Sequence, residues 1–164
     1  YYANGVPATS VTLTIPVFAQ GWEVQNIRHR ILQPINPADK YRPERAGLPA
    51  TPYMCDPDAG LDADQVLIVE GEIKAMVTYI TMDMPEVQVI GVPGKSQAAK
   101  LVEDLRGKNV TICLDPDALE EAESFAHLVG GSVINLKMKI DDVITAGGLD
   151  KYGIRSLIKS ARKV

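Results

Sequence analysis

The stretch that decides the fold is Val66-Leu67-Ile68-Val69-Glu70-Gly71-Glu72, with its echoes VQVIGV (87–92), VTICLDPD (110–117) and SVINL (132–136). Each is a short apolar run, the mark of a strand covered on both faces. Between them, Ile73, Met76, Val77 and Ile80, then Ala98, Leu101, Val102 and Leu105, then Ala122, Phe125, Ala126 and Val129 fall at the i, i+3, i+4, i+7 spacing of helix stripes. Gly130-Gly131 stops the third helix. Four buried strands alternating with three helices predict right-handed βαβ units and a roughly four-stranded parallel sheet flanked by helices. Beyond Gly147-Gly148, Ile154, Leu157, Ile158 and Ala161 predict a last amphipathic helix ending in Arg162-Lys163.

Upstream the pattern differs. VTLTIPV (11–17) and WEVQNIRHRIL (22–32) are rich in β-branched residues and read as paired strands joined through Gly21. Period two puts Val24, Asn26, Arg28 and Arg30 on one face and His29 on the other, where it is expected to pack. Residues 33–65 are proline-rich without periodicity, and predict a long surface connection carrying Lys40, Arg42 and Arg45. The expected organisation is a small basic subdomain over 1–63, an α/β domain over 64–148 and a terminal helix over 149–164.

The 164 residues, 46% of them hydrophobic, suffice for a real core and exclude a disordered chain. No apolar run reaches the ~20 residues of a membrane span, and no signal peptide is visible, so a cytoplasmic protein is expected. Two cysteines cannot build a disulfide framework or a four-cysteine zinc site; Cys113 reads as a reduced core residue. The formal charge of −4 divides unevenly, with residues 1–55 at +2 and residues 56–164 at −6.

Ligands of open parallel sheets bind beyond the carboxyl ends of the strands, and three acidic clusters lie there: Glu70-Gly71-Glu72, Asp115-Pro116-Asp117 and Asp141-Asp142. Carboxylate oxygens suit Mg²⁺, which takes one or two of them and leaves room for water and phosphate. Pro116 biases Asp115 towards extended backbone, and an extended Asp-x-Asp directs both carboxylates to one side. Each cluster alone also has a plain reading. Asp117 can cap the helix with Glu120, Glu72 can be a surface charge favoured by the helix dipole, and Asp141-Asp142 can be a solvated helix start.

At these residues the chain resembles the Toprim domain, the metal-binding α/β module of topoisomerases and bacterial-type primases. That family carries a Glu after its first strand, here Glu70, and an Asp-x-Asp after its third, here Asp115 and Asp117. Gly91-Val92-Pro93-Gly94 resembles its small-residue turn, and Lys139-Ile140-Asp141-Asp142 resembles the later acidic motif of phage and plasmid primases. Ile15-Pro16-Val17, Arg28-His29-Arg30 and Lys40-Tyr41-Arg42 resemble, in order, the basic region preceding Toprim in primases. One departure stands out: Lys74 occupies a position where relatives often carry another acid, and is placed to face a phosphate or pair with Glu70.

The resemblance implies a Toprim-like fold and Mg²⁺-dependent primer synthesis on single-stranded DNA from nucleoside triphosphates, with Mn²⁺ as substitute. It implies Glu70, Asp115 and Asp117 as catalytic metal ligands, completed by Asp141 and Asp142. Arg28, Arg30, Lys40, Arg42, Lys74 and Lys95 are the candidate contacts to nucleic acid or nucleotide, with Trp22 or Tyr41 able to stack on a base. The chain, which does not start with Met, is expected to be the core of a longer phage- or plasmid-type replication protein working with a helicase or other replication domains. The alternatives are a Toprim nuclease, a topoisomerase fragment, or a non-catalytic nucleic-acid-binding module.

Overall fold

A computed structural model describes residues 2–3, 6–7, 9–48, 50–94, 98 and 100–164. The predicted strands VLIV, VQVIGV, VTICL and SVINL appear as β7 (Gln65–Glu70), β8 (Val87–Val92), β9 (Asn109–Cys113) and β10 (Ser132–Val133). They run parallel in the order β10-β9-β7-β8. Burial on both faces has a simple cause in the alternation of each strand. Val66 and Ile68 face a core closed by α2 (Val102–Leu105) and α3 (Leu119–Val129). Leu67 and Val69 face a second core closed by α1 (Glu72–Met82), α4 (Ile140–Thr145) and α5 (Lys151–Lys159). The result is a three-layered α/β/α unit.

The amino-terminal part forms a separate antiparallel sheet. β3 (Thr12–Phe18) pairs with β4 (Val24–Ile31), and β4 with β5 (Tyr41–Pro43). Ile15 and Val17 are buried beneath it. Ahead of it, β1 (Tyr2–Ala3) and β2 (Val6–Pro7) form a two-residue ribbon.

Four local expectations are corrected. Residues 33–65 are not merely a surface connection, because they supply β5 and also β6 (Tyr53–Met54), an antiparallel edge on β8. Buried Gln88 holds the turn that follows β6: its amide donates to the carbonyls of Asp56 and Gly60 at 2.6 and 2.9 Å and accepts from the Asp56 N–H. Arg162-Lys163 does not end a helix but forms β11 (Arg162–Lys163), the opposite antiparallel edge on β10. The second predicted helix is a single α-turn, although Ala98, Leu101 and Leu105 are buried as the stripe requires.

The α1 stripe is rotated from the predicted one. Its buried residues are Glu72, Ala75, Thr78 and Met82, while Ile80 is 76% exposed. The helix approaches β8 so closely that a Cβ on Gly91 would lie 2.6 Å from the Gly71 carbonyl oxygen and 3.0 Å from the Ala75 Cβ. The small Ala75 therefore lies at the close approach, and Ile80 turns away to solvent while Met82 closes the core further along the helix.

Candidate active-site cleft

β7 leads through α1 on one face of the sheet to β8, whereas β9 leads through α3 on the other face to β10. The order in which strands are laid down reverses between β7 and β9, and such a switch point opens a crevice at the carboxyl ends of the strands. Glu70 ends β7 and Asp115 follows β9 two residues after Cys113, itself in register with Val69. Gly71 makes the exit possible: at φ 82° and ψ 158° it adopts a conformation open to glycine, and its N–H still donates to the Val92 carbonyl at 2.7 Å.

A cleft of about 480 Å³ opens there, lined on one side by Glu70, Glu72, Lys74, Asp115, Lys139, Asp141 and Asp142 and on the other by Arg28, Arg30, Lys40 and Tyr41. The antiparallel sheet thus presents a basic wall to the acidic mouth of the parallel sheet. Arg28 and Arg30 share a face, their guanidiniums 5.4 and 5.0 Å from the centre of the Tyr41 ring. Burial raises the Tyr41 phenol above its usual pKa, against the opposing effect of Arg30.

Two predicted residues fall elsewhere. Arg42 is not in a loop but in β5, opposite His29, and so on the other face of the sheet from Arg30. It pairs with Asp39 and lines a different cleft with His29, whose ring nitrogens meet Thr12, Thr14 and Glu44. Asp117 is exposed and does not line the cleft, because Pro116–Ala118 form a 3-10 turn instead of continuing extended. It provides no side-chain cap to α3 either. Trp22 is 52% exposed and edge-on to Phe18 at 5.2 Å. Lys95 lies outside the described residues.

Two charged groups have partners that the sequence did not disclose. Glu72 is not a surface charge: it is 1% exposed and forms an ion pair with Arg28, joining the first turn of α1 to β4. Lys74 pairs not with Glu70 but with Asp115, its Nζ 3.2 Å from Oδ1, while Lys139 Nζ lies 3.3 Å from Oδ2. Asp115 is 7% exposed and has an ammonium on each oxygen. The carboxylate in turn raises the Lys139 pKa.

Burial raises the Glu70 carboxyl above its ordinary pKa, helped by Asp115 and Asp117 and opposed by Lys74 and Lys139. One oxygen of Asp141, Oδ1, is buried without a hydrogen-bond partner among the described residues. A desolvated carboxyl and an orphaned carboxylate oxygen lining one cleft are donors of the kind a hard cation takes. Among the described residues no three His, Cys, Asp or Glu side chains group closely enough to hold an ion unaided. Water and phosphate oxygens ordinarily complete a Mg²⁺ shell of that kind.

The architecture is that of bacterial primase catalytic cores, which contain the Toprim module. Three solved structures give the particulars. The zinc-binding and RNA polymerase domains of Aquifex aeolicus primase match with a TM-score of 0.66 at 18% identity, over 93% of this chain and 41% of that one. The RNA polymerase domain of Mycobacterium tuberculosis primase DnaG, in complex with a double-stranded DNA oligomer bearing a 6-nucleotide overhang, matches at 0.67 and 17%, over 93% and 54%. A DnaG primase catalytic domain bound to single-stranded DNA matches at 0.64 and 16%, over 93% and 53%. The chain therefore spans about half, or less, of the structures it resembles. No protein-family model and no curated protein matches it. No helix among the described residues is long and apolar enough to cross a membrane.

Proposed function

We propose that this chain is the nucleotidyl-transfer core of a primase-type replication protein, extending primers on single-stranded DNA from nucleoside triphosphates with Mg²⁺. The observation that carries the reading is the cleft at the β7/β9 switch point, where a basic wall faces an acidic mouth. The DNA present in two of the similar primase structures supports a nucleic-acid partner. Arg30 and Lys40 bind phosphates along the basic wall. Tyr41, with Arg28 and Arg30 over its ring, keeps those guanidiniums oriented towards the cleft.

Glu70 and Asp141 would hold Mg²⁺, with Asp142 acting through water. When bound, the ion would neutralise charge at phosphate oxygens and lower the pKa of an attacking hydroxyl. Asp115 positions Lys74 and Lys139, whose remaining N–H groups point positive charge at the same phosphates. Asp117 stands at the rim, where it contributes long-range negative charge to Glu70. A helicase or other replication domains outside this chain deliver the template.

The test is incubation of labelled single-stranded DNA with Mg²⁺, with and without nucleotides. Extension that requires nucleotides and is lost in Glu70→Gln supports the reading. Degradation without nucleotides selects a Toprim nuclease. Primer synthesis by Glu70→Gln at the unsubstituted rate refutes the assignment. The double ion pair on Asp115 favours one rival, a non-catalytic nucleic-acid-binding module, and binding of single-stranded DNA with neither extension nor cleavage would select it.

A further inference from the structure

Lys74 is anchored where a mobile lysine would not be. It sits in the first turn of α1 with its side chain 15% exposed, and its ammonium meets an Asp115 side chain that is only 9% exposed. Lys139 approaches the second oxygen of the same carboxylate from the residue preceding α4, with half of its side chain exposed. Two ammonium groups meet one carboxylate at Asp115, one on each oxygen. A divalent cation coordinated by Asp115 would stand about 2 Å from a carboxylate oxygen. That places it beside both ammonium nitrogens, and the repulsion would be strong in so buried a place. Lys139 can swing into solvent; Lys74 has no such exit.

We propose that Lys74, with Lys139, takes the place of a second divalent cation at Asp115, so that the site binds one metal ion and meets the substrate's phosphate through the Lys74 ammonium. The inference rests on the metal-assisted reading above and specifies its stoichiometry. In two-metal sites a pair of cations flanks the transferring phosphate. Here one of the two charges is built into the protein. A lysine ammonium presents three donors and only one is taken by Asp115, so donors remain for phosphate oxygens. It cannot lower a hydroxyl pKa by coordination, so that task would fall to the one ion held by Glu70 and Asp141.

The test is Mn²⁺ titration of the whole chain followed by electron paramagnetic resonance, for the unsubstituted protein, Lys74→Glu and Lys74→Met, with circular dichroism confirming that each is folded. The expected result is one Mn²⁺ per chain in the unsubstituted protein and two in Lys74→Glu. Two Mn²⁺ in the unsubstituted protein, or one in both it and Lys74→Glu, overturns the replacement of metal by lysine. No Mn²⁺ in either overturns the metal-assisted reading underneath it. Lys74→Met keeps the apolar stem and removes the charge. Measured without metal, its affinity for inorganic tripolyphosphate is expected to fall, and unchanged affinity overturns the phosphate contact.

Discussion

Replacing Arg28 with Met should cost more stability than replacing its partner Glu72 with Gln, although both changes break the same ion pair. The Glu72 side chain is 2% exposed and that of Arg28 14% exposed, so removing the guanidinium strands a carboxylate with no route to water. Breaking a buried pair in this way costs about 3–5 kcal/mol. A Coulomb estimate of about 4 kcal/mol, for unit charges about 4 Å apart in an effective dielectric of about 20, falls in the same range. Glu72→Gln leaves a guanidinium that can still reach solvent at one edge, and should cost roughly 1–2 kcal/mol. For a chain of this size each kcal/mol moves the melting temperature by about 2–4 °C. Arg28→Met should therefore melt roughly 6–20 °C lower, and the double variant Arg28→Met/Glu72→Leu should recover most of that loss. Urea unfolding of the unsubstituted chain, Arg28→Met, Glu72→Leu and the double variant gives the coupling energy directly. A loss below about 1 kcal/mol for Arg28→Met, or additive single effects, would refute a buried pair joining β4 to α1.

Three further outcomes follow from the cleft. Arg30→Ala and Lys40→Ala should each weaken single-stranded DNA binding and reduce its salt slope by about 1, with Arg42→Ala unchanged because it lies on the other face; equal effects at all three positions would sink the assignment. Burial raises the Glu70 pKa in the folded state, so the folded protein binds that proton more tightly than the unfolded chain does. The resulting penalty exists above the folded pKa and vanishes below the unfolded one, so Glu70→Gln should raise the metal-free melting temperature at neutral pH and lose its advantage in acid; a pH-independent advantage contradicts this. Burial pushes both the Cys55 and Cys113 thiols up to about 12. Neither should react with a disulfide reagent at pH 8 until the chain is unfolded, and prompt labelling of Cys113 in the native protein would show that β9 is not closed over.

What the sequence discloses depends on how many residues an element has in which to show its period. β7 and β8 have six residues each, and α3 has Ala122, Phe125, Ala126 and Val129 on one face with Gly130 in the left-handed cap. All were legible. β5 and β6 have three and two residues, too few for alternation to register, and only their pairing with β4 and β8 makes them strands. α1 misled for another reason. Its contact with the sheet is set by Gly91 and Ala75, so of the residues that mark its buried face only Met82 is a large apolar one. A stripe drawn through Ile73, Met76, Val77 and Ile80 rests on size, whereas the packing here is decided by closeness.

The sequence marked Glu70, Asp115, Asp141, Asp142, Arg28, Arg30, Lys40 and Lys74, which all line the cleft, but did not show how they pair. An acid in a first helical turn looks solvated by every local rule, and the partner that buries Glu72 lies 44 residues upstream. The sequence did hold one signal, since Arg28 and Arg30 share a strand face and a face with two cations needs acids or phosphates opposite it. Among the described residues lining the cleft, five cationic side chains meet five carboxylates. That balance, not the chain's net −4, governs what enters. Arg28 is already closed on Glu72, and Lys74 and Lys139 share Asp115 with donors to spare. Arg30 and Lys40 remain on one wall, with Glu70, Asp141 and Asp142 on the other. A polyphosphate and one cation, arriving together, satisfy both walls; either alone leaves one of them unpaired.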